Sequence, residues 1–374
     1  MRIRPANFLI YILAAVALTA SSLAAADNSN HNNHNKHDRS TVCEKSADKM
    51  FQSCRFEINE EYFATTAKCI NLGVAEEREE CLAEAEETRF KDKTACGEQR
   101  AARNDVCELL AENRYDPEGL LDSGNFVTEP DDANPYFSLL PGHTYVARAG
   151  ENFEETIVVT VTDKVREILG VNCRVVVDIV LVKEDEEFVA VEVTDDYYAQ
   201  ALNGDVHYCG EVARNFEDGA LVDLDGSFEA GRDLAKSGVL IKAQPSEGDA
   251  HRQEYLLGEA EDVIRYVAGA GNPTSVGEGE GGENPNFPCE GNCVKTEEFI
   301  PTEPGAGEFK YFLAGTGFVL GVGLEQGEPT GDRDEVLCTG NSLNVLNDPS
   351  CGIDDPSTLL EQLCELSPTA FCGP

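Results

Sequence analysis

The distribution of apolar and polar positions changes character once along the chain. Residues 41–113 contain no proline, are rich in Ala, Glu, Lys and Arg, and repeat their cysteines at helical intervals. From Tyr136 onward, apolar residues alternate with polar ones in short runs, the period of a β-strand. The chain therefore reads as two long helices followed by a mainly antiparallel β-domain.

Thr41-Val42-Cys43-Glu44 fits a capping box. In it the threonine hydroxyl accepts from the backbone N–H three residues on, and the glutamate reaches back. Gly73 suits a left-handed stop for the first helix. The second begins near Ala75-Glu76-Glu77, where acidic side chains complement the positive end of the helix dipole. The cysteines at 43, 54, 69, 81, 96 and 107 are separated by 11, 15, 12, 15 and 11 residues, a palindrome. Facing residues of an antiparallel hairpin keep a constant index sum, and here the nested pairs all sum to 150. The spacing predicts Cys43–Cys107, Cys54–Cys96 and Cys69–Cys81, with Ala47 and Ala85 small enough on the same face to allow close approach.

Strand-like runs follow at Thr156–Thr162, Cys173–Val180, Phe188–Val193 and Asp205–Cys209. Further runs lie at Ala220–Leu224, Val239–Lys242, Arg252–Leu257, Cys293–Ile300, Phe309–Leu313 and Phe318–Val322. With little helix between them they predict a sandwich or a partly open barrel. Asp355-Pro356 starts a short helix as N-cap and first-turn proline.

The expected organisation is a signal peptide (1–26), a disordered His/Asn-rich leader (27–40), a disulfide-bonded hairpin (41–113) and a linker (114–135). A β-domain (136–325) with a flexible acidic insertion (269–288) and a cysteine-bonded tail (326–374) complete it. In the tail, proximity suggests Cys338–Cys351 and Cys364–Cys372. The pairing of Cys173, Cys209, Cys289 and Cys293 stays open.

Charge and export narrow the function. Arg2 and Arg4 precede an apolar run, Phe8–Leu18, and Ala24-Ala25-Ala26 offers a cleavage site. The run is too short to span a bilayer. All 14 cysteines lie beyond it, an even count that reads as seven disulfides in a secreted or periplasmic protein. The formal charge is −41, from 70 acidic and 29 basic residues. Such a surface repels nucleic acid and anionic membranes, but it gathers divalent cations weakly. His31, His34 and His37 recur every third position and could share a metal ion. An Asn/His-rich segment with incidental affinity is the favoured reading, because nothing fixed orients the rings. No cofactor motif is present.

The order of motifs in the β-region resembles a family of exported bacterial proteins of unassigned function. The resemblance rests on Asn134-Pro135-Tyr136-Phe137 with Pro141-Gly142, on Tyr198-Ala199-Gln200, and on Gly204-Asp205-Val206-His207-Tyr208-Cys209-Gly210-Glu211. Arg252-Gln253-Glu254-Tyr255, Gly258–Asp262, Lys295-Thr296-Glu297, Glu303-Pro304-Gly305, Glu308, Lys310-Tyr311 and Gly315-Thr316-Gly317 extend it. It covers about residues 134–324. Tyr197 and His207 stand where the family often has tryptophan. The resemblance implies export and a β-fold, and no chemistry.

No catalytic signature emerges. Asp223–Glu229 lacks the EF-hand spacing and reads as an Asp-Gly turn. Arg252 with Glu254, Glu259, Glu261 and Asp262 gathers carboxylates that could do acid–base work, although ion pairs on a solvated face are the plainer reading. His207 reads as a packed imidazole. The sequence thus predicts a non-enzymatic binding or structural protein. The alternatives are a carboxylate-dependent hydrolase and an envelope carrier of an apolar ligand in a curved sheet.

Overall fold

A computed structural model describes residues 41–115, 122–150, 153–184, 187–277, 280 and 286–372. The signal segment 1–26 and the leader 27–40, with His31, His34 and His37, lie outside the described residues. So do residues 116–121 of the linker and 278–279 and 281–285 of the acidic insertion.

Helix α1 spans Val42–Ile70 and α2 spans Ala75–Leu109. Thr41 caps α1: its Oγ1 accepts from Glu44 N at 3.1 Å, and the Glu44 carboxylate accepts from Thr41 N at 2.6 Å. The helix ends at Asn71 in right-handed backbone. Gly73 has no positive φ, so its expected role as a left-handed stop is not used. Three disulfides tie the helices, Cys43–Cys107, Cys54–Cys96 and Cys69–Cys81, with Cα separations of 5.9, 6.0 and 5.5 Å. That spacing leaves room only for small neighbours, and Ala47 and Ala85 are buried in the seam. Phe56, Phe63 and Phe90 point to solvent, so apolar burial contributes little to holding the helices together.

The first five strands form a meander: β1 (Thr144–Ala149), β2 (Glu155–Ile168), β3 (Val171–Glu184), β4 (Glu187–Gln200) and β5 (Val206–Glu217). Two short strands, β6 (Ala220–Asp223) and β7 (Phe228–Glu229), both pair with β5. Then come β8 (Lys236–Ile241), β9 (Ala250–Arg252) and β10 (Glu254–Tyr255). The remaining strands are β11 (Val263–Ala268), β12 (Cys293–Phe299), β13 (Ala306–Leu313), β14 (Gly317–Glu325) and β15 (Glu328–Gly340). All pair antiparallel, and β15 returns to pair with β1.

The run Ala250–Tyr255 decides between a sandwich and a barrel. Its first part, β9, pairs with β11, and its second, β10, pairs with β8. Between them Gln253 N donates to Asp262 O at 2.9 Å. The thirteen strands on the sheet's path, with β9 and β10 counted as one run, thus make a nearly closed up-and-down barrel of twelve staves. The closure needs Gly238, where a Cβ would collide with the carbonyls of Arg252 and Gln253. The sheet also runs further than expected. Residues 328–340, which the sequence reading gave to the tail, form β15. Their many charges obscured a strand whose inner face is polar.

The end of the barrel reached by residues 134–143 is filled with apolar side chains. Tyr136 and Leu139 pack there with Val161, Val176, Val206, Ile241, Ile264 and Tyr266. Three patches of the outer wall are also apolar, and each is covered. The tail, with helices α3 (Pro356–Leu366) and α4 (Pro368–Phe371), lays Leu346, Leu359, Leu363 and Phe371 over Val158, Val177, Ile179 and Val193. Phe126 covers Val171, Tyr197 and Ala199. Val276 and Phe287 cover Val319, Leu320 and Val322. The other four disulfides are Cys173–Cys209, Cys289–Cys293, Cys338–Cys351 and Cys364–Cys372, and no cysteine is free.

The hairpin docks on the closing run. Arg103 pairs with Glu261 and Arg252 with Glu112, and Gln99 Nε2 donates to Thr302 O at 2.8 Å. The described part of the linker is packed as well: Tyr115 Oη donates to Ser237 O at 2.7 Å, and Asn134 Nδ2 to Gly204 O at 3.0 Å.

Candidate functional site

The other half of the barrel interior is lined by ionisable groups. Two features of the strands put them there. In β3, Val176 and Asp178 share the inner face by the two-residue alternation. Asp178 stands opposite Thr194 of β4, and Val176 opposite Asp196. In β5 a bulge at Gly210 changes the parity, so Tyr208 and Glu211, three residues apart, both face inward, opposite Tyr198 and Asp196. Gly210 adopts φ 151° where Phe228 and Glu229 cross it, and a Cβ would stand 2.8 Å from Glu229 Cα.

On the far wall, register builds two rows. Glu298 of β12 faces Glu308 of β13, and Thr296 faces Lys310. Lys310 in turn faces Gly321 of β14, which faces Asp334 of β15. Gly321 is what admits these groups: a Cβ there would collide with the Glu308 carboxylate and stand 3.2 Å from Asp334 Cβ.

Lys310 is the cation of this chamber. Its Nζ donates to Glu298 Oε2 at 2.9 Å and lies 3.3 Å from Glu308 Oε2. Burial pulls its pKa down, but Glu298 and Glu308 outweigh that and hold it well above the ordinary lysine value. Although deep in the barrel, Lys310 keeps 30% of its side-chain surface accessible. The space beside it is therefore not filled by protein. Tyr208 Oη hydrogen-bonds both Asp196 and Glu211, the latter at 2.8 Å. One hydroxyl hydrogen can serve only one acceptor, so one carboxyl must carry a proton. Burial raises Asp196 to about 7, and raises Glu211 well above the carboxylate range, where Asp196 adds repulsion. Burial likewise lifts Glu308 to about 8 and Asp334 to about 6, against the pull of Lys310. Asp178 is raised well above its ordinary value by burial and by Asp196, and its Oδ1 has no hydrogen-bond partner among the described residues.

The carboxylates gathered around Arg252 divide. Glu261 is drawn to the hairpin. Glu254 and Asp262 are hydrogen-bonded to each other as an acid pair, and burial holds both above the carboxylate range. His207 is buried edge-on to Phe126 at 5.0 Å, and burial lowers its pKa to about 4. Among the described residues, no group of three or more His, Cys, Asp or Glu side chains is arranged to hold a metal ion.

Sequence reasoning missed the chamber. Its signal was the acid or glycine at alternate positions of otherwise β-branched runs, as at Asp178, Glu308-Phe309-Lys310 and Gly321-Val322-Gly323. That alternation also describes an ordinary solvated face.

No family model matches the chain, and no curated protein is similar to it. Two solved structures resemble part of it. One is a candidate exported protein with a YmcC-like fold from Bacteroides fragilis: identity is 10%, the TM-score 0.30, and 58% of this chain and 99% of that one are covered. The other is a candidate lipoprotein from Parabacteroides distasonis, at 9% identity, TM-score 0.26, and 54% and 98% coverage. No helix among the described residues is long and apolar enough to cross a membrane. Seven disulfides accord with an extracellular or periplasmic location.

Proposed function

We propose that the chain is an exported binding protein whose barrel interior receives a small amine-bearing cation. The observation that carries this reading is Asp178: an enclosed carboxyl with an unpartnered oxygen, flanked by Asp196 and Glu192 on the neighbouring strand and within the field of Asp334, in an interior that Lys310 leaves partly open. Enclosed carboxyls without partners are costly. A cation among them would supply the missing charge. The same lining argues against an apolar cargo, because the unfilled half of the barrel is the charged half.

Coupled protonation provides the test. The buried carboxyls hold protons near neutrality, so a bound cation should expel them. Titration calorimetry with spermidine in buffers of different ionisation enthalpy should show binding with proton release. Asp178→Asn should weaken binding about tenfold, one lost charge-assisted hydrogen bond being about 1.5 kcal/mol. Binding without proton release, equal affinity in the variant, or no binding would each defeat the reading.

A second reading is favoured by the Asp196–Tyr208–Glu211 group, which places a protonated carboxyl beside an ionisable one near neutral pH. It makes the chain a carboxylate-dependent hydrolase. A glycan or ester panel should then show turnover with a bell-shaped pH profile that Asp196→Asn abolishes.

A further inference from the structure

Three tyrosines line the boundary between the filled end of the barrel and its charged half. The rings of Tyr145, Tyr198 and Tyr208 pack with the apolar cluster, and their hydroxyls lie in the field of the chamber's carboxyls. Tyr198 and Tyr208 both hydrogen-bond Asp196. Tyr145 differs: its hydroxyl bonds to no described residue, although Asp178, Asp196, Asp334 and Lys310 all act on it.

Strand register explains the placement. Tyr145 of β1 stands opposite Val159 of β2, and Val159 opposite Asp178 of β3, so the three share one cross-strand row. The ring is set against Phe318, centroids 6.5 Å apart. Like Lys310, Tyr145 is enclosed by the barrel yet keeps accessible surface. Unlike Asp178 Oδ1, its hydroxyl oxygen is not sealed off. An enclosed hydroxyl is stable only with a hydrogen-bonding partner.

Lys310 offers a second uncommitted group. Its Nζ carries three hydrogens, and among the described residues only Glu298 and Glu308 are in reach to take them. A guest ammonium would add further donors and no acceptor. Two ammonium groups sharing the chamber need an oxygen between them.

Building on the cation reading, we infer that the guest is a hydroxylated amine of amino-sugar type, its ammonium among the carboxyls and a neutral oxygen bonded to Tyr145 Oη and Lys310 Nζ. A hydroxyl both donates and accepts, so it satisfies a tyrosine and a lysine at once. An anionic oxygen, as in an amino acid, would be repelled by carboxyls that outnumber the one lysine.

The test is calorimetry on the full disulfide-bonded chain with glucosamine, cyclohexylamine and glucose, at a slightly acidic pH where both amines are cations. The two amines share a six-membered ring and an ammonium and differ in their oxygens. Glucosamine should bind about tenfold more tightly than cyclohexylamine, the worth of one hydrogen bond to a charged group. Glucose, which lacks the ammonium, should not bind. Tyr145→Phe keeps the ring and removes only the hydroxyl, so the melting temperature should not fall. In that variant glucosamine should lose severalfold in affinity while cyclohexylamine is unchanged. Equal binding of the two amines, or equal weakening of both by Tyr145→Phe, overturns this inference and leaves the cation reading standing. Binding by neither amine overturns both, and binding by glucose removes the need for the ammonium.

Discussion

Arg103 of α2 grips Glu261 with two nitrogens: Nε lies 2.9 Å from Oε2 and Nη2 lies 2.6 Å from Oε1, across 158 residues of sequence. Both side chains are almost wholly buried, at 7% and 1% exposure. Glu261 Oε1 also accepts from Gly258 N at 2.8 Å. This pair fastens the hairpin to the barrel beside the run that closes it.

Breaking one partner leaves a buried charge unmatched, which costs about 3–5 kcal/mol. Arg103→Met alone should therefore lower stability by about that amount. Arg103→Met with Glu261→Gln should recover much of the loss. Chemical denaturation of the single and double variants checks this; a double variant no more stable than the single would show that the pair does not act as a unit.

Stability should fall as the pH rises through neutrality. Burial raises Asp196 to about 7, Glu308 to about 8 and Asp334 to about 6, while Asp178 and Glu211 are raised well above their ordinary values. The unfolded chain ionises the same groups at about pH 4. Between these values the folded state holds more protons, so rising pH favours unfolding. His207 and His251 act oppositely. Burial depresses them to about 4 and about 3, so their contribution is lost as pH drops below about 6.5. The melting temperature should peak on the acid side of neutrality and decline toward pH 8, and Glu308→Gln should flatten that decline. A melting temperature that climbs steadily to pH 8 would contradict the buried-acid assignment.

Reduction should loosen the hairpin unevenly. In the chain-entropy model each disulfide contributes about 2–4 kcal/mol, and the seam offers little apolar burial in compensation. The contacts with the barrel, through Gln99, Arg103 and Glu112, all lie toward one end. After reduction, hydrogen exchange should accelerate first around Cys69 and Cys81, at the free tip, while β2–β4 stay protected. Equal loss across helices and barrel would mean that the disulfides are not what holds the tip.

Two glycines should respond in opposite directions. Gly321→Ala forces a methyl against Glu308, and such overpacking costs about 1–3 kcal/mol. A Cβ at Gly97, within α2, meets nothing within 4 Å. Gly97→Ala should therefore stabilise by about 0.5–1 kcal/mol through helix propensity. Thermal melts of both variants distinguish a packing constraint from a general intolerance of substitution.

What the sequence determined by itself was whatever depends on local spacing. The capping box at Thr41 and Glu44, the helical register of six cysteines and the Asp355-Pro356 helix start are contacts between near neighbours or consequences of one antiparallel register. Cys43, Cys54 and Cys69 bond to the partners that a constant index sum assigns. Alternation likewise located most strands. It could not say which face of each strand was inside, because a period of two is the same whether the apolar side faces a core or an outer cover. The tail, Phe126 and Phe287 cover apolar patches outside the wall. That frees part of the interior for Asp178, Asp196, Glu308 and Lys310, which an uncovered sheet would have turned to solvent. Closure through Ala250–Tyr255 and the grip of Arg103 on Glu261 join residues far apart in sequence, so only the tertiary structure could decide them.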